Sequence, residues 1–131
     1  MQKDAILAQL AEASAGLLFP SETDAPFAPF ALPPGADIPS ALAQAAGHPG
    51  EPQTTQALDA FFRPAVTPRD WHGPEERRTL RQFQHLLETI RATLPDATVY
   101  RVGESGTIDI FILGKADDAA LVGLQTQVVQ T

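Results

Sequence analysis

Cysteine is absent from this chain of 131 residues. Its absence excludes disulfides, thiol catalysis and cysteine-ligated zinc, and it agrees with a cytoplasmic location, because small domains in oxidising compartments often rely on disulfides. Long apolar runs are missing as well. No stretch approaches the roughly 20 continuous apolar residues that span a bilayer. The opening Met1-Gln-Lys-Asp-Ala-Ile-Leu-Ala-Gln-Leu10 meets polar residues before a signal-type run develops. Positive charge is scarce: 9 Lys and Arg stand against 16 Asp and Glu, a formal charge of −7. Contacts to phosphate need a basic stripe, so neither free nucleic acid nor a membrane is an expected partner. The histidines are His48, His72 and His85. Without His-x-x-x-His spacing or a paired Asp/His motif, they suit solvated or capping roles better than a metal site. Ser14, Ser21, Ser40 and Ser105 lack a Gly-x-Ser-x-Gly setting. Gly103, Gly106 and Gly114 are expected in hairpin turns rather than in a phosphate loop. Nothing here indicates an enzyme or a resident cofactor.

What is present is enough apolar material, 44% of residues, for one core, and a single domain over residues 1–131 is expected. The charge is unevenly placed. From Met1 to Phe62, seven acidic residues face Lys3 alone, a local charge of −6. Residues 63–101 carry seven arginines and five acids, or +2, and the last thirty residues carry −3. Such an acidic front half suits a basic protein partner, although solubility alone also accounts for it.

Apolar periodicity predicts a helix near residues 3–15, with Ile6, Leu7, Leu10 and Ala11 on one stripe and Gly16 at its end. Between Phe19 and Pro68 lie ten of the twelve prolines, which predicts a loop-rich half. Within it, Asp37 to Gly47 reads as a short helix, capped by Asp37 and stopped by Gly47. His48 to Thr55 reads as a turn-rich connection. Ala57 to Arg63 fits either a helix or a strand that plants Phe61 and Phe62. The back half is more regular. Gly73-Pro74-Glu75-Glu76 opens a long helix whose core face is Leu80, Phe83, Leu87, Ile90 and Leu94, with Arg78, Arg81, His85 and Glu88 toward solvent. Val99–Gly103 and Ile108–Gly114 form a predicted hairpin, and Val122, Leu124, Thr126 and Val128 give a last strand at period two. Three antiparallel strands with helices make an α+β layered fold. Trp71, just ahead of the long helix, is expected to be a core or staple residue rather than a platform for stacking bases.

Several motifs carry a resemblance. Leu17-Leu-Phe-Pro-Ser-Glu-Thr-Asp-Ala-Pro-Phe27 looks like the signature loop of the nuclease A inhibitor family. Arg101-Val-Gly-Glu104, Ile108-Asp-Ile-Phe-Ile-Leu-Gly-Lys115 and Leu121 to Thr131 resemble the same family in the same order, with Asp59-Ala-Phe-Phe62 and Trp71 as further landmarks. The likeness covers about residues 3–131. It implies a three-layer α/β/α sandwich similar to pathogenesis-related-1 proteins, with a C-terminal antiparallel β-meander. It also implies a function by tight 1:1 binding of a monomer to a sugar-non-specific ββα-metal endonuclease, not by turnover. In that family an acidic residue of the loop and the terminal threonine reach the nuclease's divalent metal, Mg in the expected case. Carried onto this chain, these are Glu22 and Thr131, with Ser21, Asp24 and Gln130 as neighbouring partner-binding residues.

The chemistry is reasonable by itself. Magnesium takes hard oxygen ligands in octahedral geometry, and a nuclease leaves positions open for the scissile phosphate. A carboxylate and a threonine oxygen could fill them and offer no bond to cleave. Without the resemblance, Pro-Ser-Glu-Thr-Asp is an ordinary polar turn and Thr131 simply follows a strand. Ala25 stands where the family often has an aromatic and Ala28 where it often has an acid, which removes contact area and charge beside Glu22. A domain of the same fold that binds some other protein is therefore the alternative.

Overall fold

The computed structural model describes residues 2–47 and 50–130. The chain runs α1 (Lys3–Ser14), β1 (Leu18–Phe19), β2 (Ala25–Pro26), β3 (Ala28–Leu32), α2 (Ile38–Ala46) and β4 (Gln53–Gln56). It continues through α3 (Leu58–Val66), α4 (Pro74–Thr93), β5 (Thr98–Val102), β6 (Gly106–Lys115) and β7 (Leu121–Gln130). No helix among the described residues is long and apolar enough to cross a membrane.

Local signals account for the helix ends. Asp37 caps α2 by accepting from the Ser40 N–H at 3.2 Å, and Gly47 ends the helix with φ of 73°. At α4, Glu76 reaches back to accept from the Gly73 N–H, as an N3 carboxylate does in a capping box. Helix α1 stops at Ser14, whose hydroxyl donates to the Leu10 carbonyl, and Gly16 turns the chain away at φ of 77°. For residues 57–63 the structure selects a helix, α3, which buries Phe61, Phe62 and Ala65 on one side. Pro64 lies inside it, only two residues before its end, and the Thr67 hydroxyl takes up the Arg63 carbonyl.

Strands β3, β7, β6, β5 and β4 form, in that order, one antiparallel sheet, and β5–β6–β7 is the expected meander. Alternation on β6 separates two cores. Ile108, Ile110 and Ile112 face the helices α1, α3 and α4, whereas Phe111 and Leu113 pack beneath Leu42 of α2. The layers are therefore helix, sheet, helix, which bears out the α+β expectation. Because β6 is covered on both faces, residues 108–113 read as a nearly unbroken apolar run. The expected core face of α4 is present except that Leu80 is only half-buried, while Leu86 and Thr93 are buried as well.

Two strands of this five-stranded sheet were expected to be loop. β3 contains Pro29 and β4 reads Gln-Thr-Thr-Gln, so neither shows the apolar alternation that marks a strand. Both lie at sheet edges, where a proline is tolerated and one face need not be apolar.

Candidate partner-binding site

Phe19 fixes the start of the candidate loop. Its ring is buried, stacks on Phe61 at a centroid separation of 4.3 Å and meets Phe27, Phe62 and Phe83 edge-on. Burying a phenylalanine in this way contributes roughly 1.5–3 kcal/mol. Strands β1 and β2 then pair Leu18 with Pro26 and Phe19 with Ala25, so residues 20–24 form the connection of a short hairpin.

That connection is tied to the far end of the chain. β3 pairs with β7 only as far as Ala28 opposite Gln125, which leaves the same edge of β7 uncovered from residue 126 onward. Exposed backbone groups on such an edge need partners. The hairpin supplies them. The Thr126 hydroxyl donates to the Pro26 carbonyl at 3.0 Å, the Val129 N–H donates to the Ser21 hydroxyl at 3.1 Å, and the Glu22 N–H donates to the Val129 carbonyl at 3.4 Å. Ser21 also donates to the Thr23 carbonyl at 2.7 Å, which closes the turn. Each such bond is worth about 0.5–1.5 kcal/mol net. Together they leave the Glu22 and Asp24 side chains exposed at the tip.

The structure thus brings Ser21, Glu22 and the end of β7 together. Gln130, the last residue of β7, accepts from Arg101 Nη2 at 3.5 Å, and Arg101 Nη1 donates to Gln56 at 3.2 Å. These side chains share a cleft of about 250 Å³ with Pro20, Ser21 and Val129. Thr131, the other expected metal-reaching residue, lies outside the described residues, as does His48. Ala25 and Ala28 are half-buried strand residues.

Trp71 corrects its expectation. It is 74% exposed rather than in the core, because the segment between α3 and α4 leaves its ring outside the sheet-facing helices. It borders a groove of about 620 Å³ whose other walls include Pro20, Ser21, Pro64, Leu80 and Glu76, so the groove adjoins the candidate loop. Nothing in the sequence around Trp71 distinguishes an outward tryptophan from an inward one. His72 accepts from the Arg69 N–H at 3.3 Å, a local turn bond, and His85 is exposed on α4. Among the described residues, no three His, Asp or Glu side chains gather to hold a metal ion.

The α+β sandwich thus presents exposed acidic side chains from a loop stapled to a strand end, with an exposed tryptophan on the adjoining groove. The family follows from comparison: residues 4–131 match the nuclease A inhibitor-like protein family, and the chain belongs to it. No curated protein matches the chain.

Proposed function

We propose that this protein is a stoichiometric inhibitor that binds and blocks the active site of a sugar-non-specific, metal-dependent DNA/RNA endonuclease. It acts as a monomer in a 1:1 complex in the cytoplasm of the cell that makes both proteins. Membership of an inhibitor family supports the class. The observation that carries the mechanism is the pair of hydrogen bonds between the loop and Val129, whose N–H donates to the Ser21 hydroxyl and whose carbonyl accepts from the Glu22 N–H, holding Glu22 beside a strand end two residues before Thr131.

In this reading Glu22 and Thr131 supply oxygens to a divalent ion, Mg, that the nuclease itself holds. The open positions of that ion normally take substrate phosphate, and two hard oxygens from the inhibitor occupy them with no scissile bond between. Ser21 shapes the turn, Asp24 and Gln130 flank the contact, and Trp71 provides an apolar anchor at the edge of the adjoining groove. Because the loop is ordered before binding, less conformational entropy is lost on association.

Titration into a ββα-metal nuclease with Mg tests the proposal. Inhibition of DNA cleavage should saturate at one inhibitor per enzyme, and Glu22→Gln or deletion of Thr131 should weaken it at least about tenfold, or ~1.4 kcal/mol, without lowering the melting temperature. If both variants inhibit as well as the parent, the assigned residues are wrong. If the parent has no effect at micromolar concentration, the second reading stands: an interaction module of the same fold, favoured by the small side chains of Ala25 and Ala28 beside Glu22.

A further inference from the structure

We infer that Arg101 is a positioning residue of this binding face: its guanidinium holds the end of β7 in the arrangement that the loop of residues 20–24 requires. The inference rests on the inhibitor reading above. Arg101 stands on β5 and, by strand alternation, shares with Val99 the sheet face that packs against α1, α3 and α4. Strand β6 lies between β5 and β7, so no backbone bond links Arg101 to the end of β7 and only a long side chain makes the connection.

The guanidinium divides its donors. Nη1 bonds Gln56 on the edge strand β4 at 3.2 Å, and Nη2 bonds Gln130 at the end of β7 at 3.5 Å. One rigid fork thereby couples the edge strand β4 to the end of β7 across β5 and β6. Lysine could not do the same, because its ammonium is a single point on a flexible stem. All three side chains line the cleft that also contains Pro20 and Ser21, so the fork sits directly beside the loop.

The need for such a fork follows from the sheet. Beyond Gln125, β7 has β6 as a regular neighbour on one side and only hairpin contacts on the other. Strand ends with few partners open easily. The exposed Gln130 side chain, left to itself, would also sample several rotamers. Holding it before a partner arrives removes an ordering cost of the size usually charged to one immobilised side chain, which corresponds to about three- to tenfold in affinity.

The test uses the full chain with Arg101→Met, Arg101→Lys, Gln130→Ala and the Arg101→Met/Gln130→Ala double variant. Inhibition is titrated against a ββα-metal nuclease in Mg, and amide hydrogen exchange is followed in the free proteins. Both Arg101 variants should weaken inhibition about three- to tenfold, and the double variant should be weakened by less than the sum of the Arg101→Met and Gln130→Ala effects, because the two side chains are coupled. In the free Arg101→Met protein, the amides of Glu22 and Val129 should exchange faster relative to that of Ile110 in the sheet interior, a ratio that a general loss of stability would leave unchanged or lower. Parent-like inhibition by both Arg101 variants, additive effects in the double variant, or an unchanged exchange ratio would each overturn the assignment. A parent protein that fails to inhibit the nuclease would instead remove the inhibitor reading, and the exchange ratio would still decide what Arg101 does.

Discussion

Gly123 illustrates how much a single residue settles here. A Cβ built on it would lie 1.7 Å from the Ile112 carbonyl oxygen, so β6 and β7 approach at that point only because no side chain intervenes. Gly47 differs: its φ is 73° but a Cβ would meet nothing within 4 Å. Gly47→Ala should therefore cost only the left-handed strain, about 1–2 kcal/mol. Gly123→Ala should cost more than the ~3 kcal/mol usual for an overpacked site, because backbone rather than a side chain must move. Chemical denaturation of both variants checks the order, and a Gly123→Ala protein as stable as Gly47→Ala would refute the close approach. At this scale the sequence was legible where a residue's chemistry has one local use, as with Asp37 and Gly47. Trp71 was not, since its large apolar ring suits a core and an interface equally, and only the packing around it decides.

Elements were legible in proportion to the strength of their internal pattern. α4 from Phe83 onward shows clean helical periodicity because it buries one stripe, whereas β6, buried on both faces, is marked instead by an unbroken apolar run. α2 was legible from its caps, and those caps carry a testable pH dependence. Bonds from the Ser40 hydroxyl and N–H hold the Asp37 carboxyl below its ordinary value of 3.8. A carboxyl depressed in the folded state contributes stability above its unfolded pKa, and that contribution is lost as pH falls through the folded value. Asn caps about as well as Asp but does not titrate. Asp37→Asn should then show a shallower fall of melting temperature below about pH 4 than the parent; parallel curves down to acid unfolding would mean that the charged cap adds nothing. β3 and β4 stayed hidden because an edge strand is held by backbone bonds to one neighbour, and Pro29 or a run of Gln and Thr is compatible with that. α3 was ambiguous for a related reason, since Phe61 and Phe62 would be buried by either geometry.

For the molecule as a whole, the charge of −7 makes a prediction separate from the site. If the partner presents a basic cleft, raising monovalent salt from about 50 to 500 mM should slow association about tenfold or more while dissociation changes little. Stopped-flow mixing measures both, and a salt-independent association rate would remove any role for steering. The sequence by itself determined the helix and strand that carry their own periodicity, the capped α2, the absence of disulfides and the acidic balance, because each of these is encoded within a few neighbouring residues. Its loop motif also pointed to Glu22, through family likeness rather than through local chemistry. Only the tertiary structure decided that the loop seals the open end of β7, joining residues 108 positions apart through Ser21 and Val129. The physical reason is that each bond of this junction has a backbone group on at least one side, met by the Ser21 or Thr126 hydroxyl or by another backbone group about a hundred residues away, and no local pattern marks which distant backbone group will be met.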